Sequence, residues 1–270
     1  MKDRRWKDII WILLKTVVAF ACIRILSTSV FVFGNSKKSI LMATVQFTIF
    51  TYLIYKYVSG EARKNGLTLN ECYTPQVTIG IKDVLFALFL VSALSFGIFI
   101  YAERIVPTNV ELGSFLSLAI LNFVRSGLGS GINEELVFRG YLLKVIEEKK
   151  GRIWAAALSS LTFGLAHVLN EGMTPMETLW TVVGTGSIGL MLSVLTYETG
   201  SIWRGVIIHT FINTRERFLG FDRASSLFLY EFPAGMTEEI RSCANWMVIS
   251  AISWLVVLWY CWKWRKHKSL

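Results

Sequence analysis

Asn133-Glu134-Glu135-Leu136-Val137-Phe138-Arg139-Gly140-Tyr141 sets two adjacent carboxylates and a guanidinium into a chain that is otherwise largely apolar. A carboxylate at membrane depth costs about 2.5–3.5 kcal/mol on insertion scales unless it is paired, wetted or used. Whether this stretch lies in a membrane therefore decides the fold. Of 270 residues, 53% are hydrophobic and only 17% charged; a soluble domain carries about a quarter charged residues. Mean hydropathy is +0.50. Ten Trp, nine Tyr and eighteen Phe suit interfacial and lipid-facing positions. The composition is that of an all-α polytopic membrane protein.

Working outward from the stretch, apolar runs predict eight spans, at about 9–33, 39–58, 84–106, 111–148, 153–169, 176–197, 202–219 and 245–264. The first, behind Lys2, Arg4, Arg5 and Lys7, is too long for a signal peptide and reads as an uncleaved span. In it, Lys15 is expected to snorkel to the interface and Arg24 to face protein or water, since no carboxylate is near in sequence. The fourth run is too long for one simple span. Gly127, Gly129 and Gly131 predict a break or kink before the motif helix. Gly184, Gly186 and Gly189 in the sixth would let helices approach closely. The chain divides into a three-span region at 1–110, a core at 111–219, and a last loop and span at 220–270. Neither an internal repeat nor a low-complexity tract is present.

The net charge of +9 sits mainly at span ends. The positive-inside rule explains it better than nucleic acid does, and nucleic acid is not expected as a partner. Lys and Arg at both termini, with Lys144, Lys149, Lys150 and Arg152, place the termini in the cytoplasm. The segment 214–241 fits less well, because it would lie outside yet carries Arg215, Arg217 and Arg223. Short loops and no organelle signal suggest a bacterial plasma membrane. Cys22, Cys72, Cys243 and Cys261 form no CxxC pair or zinc-like spacing and read as free thiols.

Three residue pairs carry candidate chemistry. Glu135 and Arg139 are i and i+4, so they can pair along one helix face. Glu134 is rotated by about 100° from Glu135 and can point elsewhere. Of three histidines, His267 lies in the basic tail, whereas His167 and His209 fall inside apolar runs. Phe163 precedes His167 by four and can pack beside it; Asn213 follows His209 by four, on one face. Counted from the cytoplasmic span ends, Glu134, His167 and His209 lie about 20, 22 and 12 Å deep, so all three can share a cavity formed by spans 4, 5 and 7. A carboxylate in low dielectric can serve as general base. A His can share that task or bind a metal, and Asn and His N–H groups can hold an oxyanion. No Ser or Cys has a persuasive nucleophile context; Ser126, Ser130 and Ser187 read as small packing residues. These are the parts for hydrolysis of an amide. A proton-coupled transporter and a non-catalytic scaffold binding a membrane peptide are the competing classes.

Glu134-Glu135-x-x-x-Arg139, Phe163-x-x-x-His167 and His209-x-x-x-Asn213 resemble, in order and spacing, the motifs of the CPBP family of intramembrane proteases. That family, also called the CAAX protease or ABI family, includes the type II CAAX prenyl endopeptidases. The resemblance spans about 112–218. It implies an eight-helix fold and a peptidase admitting a membrane-associated or prenylated-type peptide from the cytoplasmic side or the lipid. Carried over by position, Glu134 would activate water with help from His167, Arg139 would hold Glu135, and His209 and Asn213 would polarise the scissile carbonyl. The resemblance implies CAAX-type processing, or peptide maturation or bacteriocin self-immunity, as the roles open to the protein. The metalloprotease label often given to the family implies a zinc set of His167, His209 and Glu134; a metal-free glutamate mechanism uses the same residues.

Overall fold

The computed structural model describes residues 2–29, 40–75, 77, 79–168, 172–215 and 226–268. Among these, eight helices follow the order of the predicted spans: α1 Lys2–Ser29, α2 Ile40–Lys64, α3 Ile81–Tyr101, α4 Leu112–Lys150, α5 Arg152–Leu165, α6 Pro175–Thr199, α7 Trp203–Arg215 and α8 Glu238–Lys268. Only α1, α3, α4, α6 and α8 are long and apolar enough to cross a membrane. Among the described residues these are five of the eight crossings expected from the sequence. Helix α5 has 14 residues, about 21 Å of helix, against a hydrocarbon core about 30 Å thick; α7 is described over 13 residues, up to Arg215. They are sustained by packing inside the bundle. A Cβ on Gly164 of α5 would lie 2.7 Å from the Val182 carbonyl oxygen of α6, so only glycine allows this approach. Thr210 and Thr214 of α7 press into the notches left by Gly127 and Gly131 of α4.

Those glycines do not break α4. The helix continues through them and carries two wide π segments, Phe123–Leu128 and Leu136–Leu142. The irregularity expected at the glycines takes the form of widened turns, a feature frequent at functional sites. The second π segment contains Arg139 and directly follows Glu135. The Phe138 carbonyl within it accepts a hydrogen bond from Ser159 Oγ of α5 at 2.6 Å.

The third span also ends sooner than predicted. Helix α3 stops at Tyr101, and Arg104–Pro107 forms a strand, β1, antiparallel to β2 at Phe228–Glu231. The register pairs Ile105 with Tyr230. Part of the polar segment 214–241 is thus structured by a partner more than a hundred residues away. Arg217 and Arg223, which made that segment an exception to the charge pattern, lie outside the described residues.

Lys15 and Arg24 each meet a carboxylate that is not near in sequence; Arg24 faces protein, as expected. Lys15 Nζ donates to Glu61 Oε2 of α2, and Arg24 lies 3.9 Å from Glu134. Both carboxylates are remote in sequence, and only helix packing brings them near.

The bundle has two unlike ends. One gathers the starts of α1, α5 and α7 and the ends of α4, α6 and α8. It is closed by Trp6 against Trp154, Tyr73 donating to Glu147, Arg204 paired with Asp83, and Lys263 paired with Glu198. At the other end, α6 and α8 begin side by side, tied by the Thr174 hydroxyl donating to Glu239 at 2.8 Å.

Candidate active site

The second π segment aims Arg139 into the bundle. Arg139 Nη1 donates to Glu135 Oε1 at 3.0 Å, and neither residue is exposed to solvent. The guanidinium stacks over the Phe163 ring, 4.1 Å from its centroid. Two glycines make room for this pair. A Cβ on Gly189 would lie 3.0 Å from Arg139 Nη2, and one on Gly205 would lie 3.2 Å from Glu135 Oε2. Gly189 reads in the sequence as a generic close-approach residue, and Gly205 carries no signal there.

His209 completes a chain of ionisable groups. Its Nδ1 is 2.9 Å from Glu135 Oε1, and its Nε2 faces Glu134 Oε2 at 3.7 Å. Glu134 in turn faces Arg24 with its other oxygen. The order is Arg139, Glu135, His209, Glu134, Arg24. Glu135 is therefore held by Arg139, as the spacing predicts, and by His209 as well. The imidazole beside Glu134 is His209. His167 stands apart from this chain: its Nδ1 is 2.9 Å from the Phe163 carbonyl, and its ring meets the Phe163 edge at 5.0 Å. Phe163 bridges the two histidines, with its ring 5.8 Å from that of His209.

Asn213 Nδ2 donates to the Ser126 carbonyl at 3.1 Å, in the first π segment. Asn133, at the head of the opening motif, is a structural tie. Its Nδ2 donates to the Gly129 carbonyl at 2.7 Å and to Thr51 Oγ1 of α2 at 3.1 Å.

A cavity of about 600 Å³ lies against this array, within the usual size of ligand sites. His167, His209 and Asn213 line it; Glu134, buried to 5% exposure, sits one step back behind His209. The wall comes from the end of α5, the start of α6, the end of α7, Tyr230 of β2 and the start of α8. The expected cavity of spans 4, 5 and 7 facing the termini is thus corrected. It opens at the end opposite the chain termini, because ion pairs and aromatic contacts fill the other end. Arg24, with Gln46, Arg125 and Ser126, lines a smaller space of about 220 Å³ on the far side of Glu134.

The zinc set expected of His167, His209 and Glu134 does not fit this arrangement. Among the described residues, no three His, Cys, Asp or Glu side chains are grouped to hold a metal ion. His209 Nδ1 is engaged by Glu135, and His167 is turned to a backbone carbonyl.

Polytopic α-helices surrounding a buried carboxylate–histidine array define an integral membrane protein with the equipment of a hydrolase. Residues 116–215 match the family model described as type II CAAX prenyl endopeptidase Rce1-like. The match covers all three motifs and runs from within α4 to Arg215 of α7, consistent with the CAAX protease (CPBP) family. No curated protein matches the chain.

Proposed function

We propose that the protein is an intramembrane endopeptidase in which Glu134 and His209 hydrolyse a peptide bond of a membrane-associated peptide. The observation that carries this reading is His209 set between two carboxylates on a cavity wall. Glu135, neutralised by Arg139, orients the imidazole through Nδ1 and leaves Nε2 directed toward Glu134 and the cavity. Glu134 takes a proton from a water held between it and His209 Nε2. The water oxygen bonds to the scissile carbonyl carbon. The second N–H of Asn213 stabilises the resulting oxyanion. Collapse breaks the C–N bond, and Glu134 returns the proton to the leaving amine. In this scheme His209 assists Glu134, and His167 lines the substrate space. Residues 111–219 form the catalytic core.

Sidedness follows from charge. With the Lys- and Arg-rich end in the cytoplasm, the cavity opens toward the other face of a plasma membrane. This favours peptide maturation or self-immunity over processing of a cytoplasmic prenylated tail.

The test uses protein purified in detergent, incubated with a library of membrane-proximal and C-terminal peptides. Wild type is expected to cleave, and Glu134→Ala and His209→Ala to lose at least a thousandfold in rate, on the order expected when the central acid–base groups are removed. Cleavage that survives both substitutions removes the assignment.

A further inference from the structure

The smaller space, on the far side of Glu134, is built differently from the cavity beside His209. Arg24 and Ser27 of α1, Gln46 of α2, and Arg125, Ser126 and Ser130 of α4 form its polar wall around about 220 Å³. Helices α1 and α2 lie outside the residues that match the family.

The charged groups of this wall are open to contact. The Arg24 side chain is 59% exposed, and Arg125 is exposed as well. Arg24 Nη1 stands 3.9 Å from Glu134 Oε1, the only carboxylate within 4 Å of it among the described residues. That separation is beyond hydrogen-bond length, so the N–H groups of Arg24 can donate to a ligand. A guanidinium carries donors and no acceptor, and it pairs best with the oxygens of a phosphate or carboxylate. Ser126 and Ser130, both partly exposed, add hydroxyl groups to the same wall. The ligand chemistry selected is that of an anion.

Position identifies the anion. The apolar stretch of α1 is Trp6–Ser27, and Arg24 is three residues from its end. Gln46 is six residues from the start of α2 at Ile40. These offsets are about 5 and 9 Å of helix. The space therefore sits at the hydrocarbon boundary opposite the chain termini, the level of lipid phosphates. Leu26, Val45 and Phe123, on the same three helices, are exposed apolar side chains that acyl chains can cover.

We propose that Arg24 and Arg125 hold the phosphate of one phospholipid, with its acyl chains against the outer faces of α1, α2 and α4. A headgroup that is negative overall is favoured, because a second cation would face two guanidinium groups. Arg24 also meets Glu134, so the bound phosphate stands one residue away from the candidate base. The lipid site holds whether or not the protein cleaves peptides.

The experiment titrates full-length protein in detergent with phosphatidylglycerol and counts bound lipid by native mass spectrometry. Wild type is expected to retain one phosphatidylglycerol tightly, and not dioleoylglycerol, which has the chains without the phosphate. Arg24→Gln and Arg125→Gln are each expected to weaken retention about tenfold, the loss of one charge-assisted hydrogen bond. Arg265→Gln, which removes the same charge from the far end of α8, is expected to leave it unchanged. Size-exclusion profiles report folding. Should Arg24→Gln not fold, Ser130→Asp decides: it sets a carboxylate among the donors and is expected to weaken retention as much. Equal losses in Arg24→Gln, Arg125→Gln and Arg265→Gln mean general attraction to the surface and overturn the site. Unchanged retention in Arg125→Gln and Ser130→Asp, or equal retention of dioleoylglycerol, overturns it too. Displacement of the lipid by excess inorganic phosphate would make the ligand a free anion and overturn the lipid assignment.

Discussion

His209 takes its orientation from Glu135: Nδ1 and Oε1 are 2.9 Å apart, in a site where Glu135 has no solvent exposure. The same carboxylate oxygen accepts from Arg139. One buried group thus serves both to neutralise a guanidinium and to aim an imidazole. Breaking such a buried pair from one side leaves an uncompensated charge. Glu135→Ala is therefore expected to cost about 3–5 kcal/mol of stability and to abolish turnover. The double substitution Glu135→Leu with Arg139→Met should recover most of the stability and none of the activity. Thermal unfolding and peptide turnover in the same detergent check both parts.

Gly164 tests the packing that holds the short helix α5. A methyl group there meets backbone, the Val182 carbonyl at 2.7 Å and Gly186 at 3.2 Å, and backbone cannot swing aside. Gly164→Ala is expected to destabilise by about 1–3 kcal/mol, the usual penalty of overpacking. Because α5 carries Phe163, the ring that bridges both histidines, activity should fall with it. Gly60→Ala, inside α2 where nothing lies near the added methyl, is the control and should not destabilise; it is expected to gain about 0.5–1 kcal/mol from helix propensity.

Glu61 gives the protein an acid limb of stability. Burial opposes its ionisation, but hydrogen bonds from Lys15 and Lys64 outweigh that and hold its carboxyl below its ordinary value of 4.5. A depressed folded-state pKa contributes stability that is fully present above the unfolded value and lost as pH falls through the folded one. The Tm advantage of wild type over Glu61→Gln should thus be constant above about pH 5 and shrink progressively below pH 4.5. An advantage that persists unchanged to pH 3 contradicts it.

The sidedness proposed for the site can be read directly. In sealed cells, a membrane-impermeant thiol reagent should label a cysteine placed at Glu238, on the cavity rim, and not one placed at Lys149. In inverted vesicles the pattern should reverse. Labelling at Glu238 only in inverted vesicles would put the cavity in the cytoplasm.

Much of the site is legible in the chain because its spacings are local. Glu135 and Arg139 share a helix, so their pairing follows from periodicity alone, and the same holds for Phe163 beside His167. The membrane class follows from composition, since 53% hydrophobic content leaves too few charges to clothe a soluble surface. Depth estimates placed His209 within reach of Glu134. They could not say which histidine would touch it, because a few residues of offset or tilt exceed a hydrogen-bond length. Tertiary structure decided what depends on partners distant in sequence: His209 rather than His167 beside Glu134, Arg24 and Lys15 paired with carboxylates, and Gly205 hollowed for Glu135. It also decided that Gly127 and Gly131 receive α7 where a break was expected, and that the cavity opens away from the termini. Periodicity fixes which side chains share a face of one helix. Which faces then meet is set by packing between helices, and no local pattern encodes it.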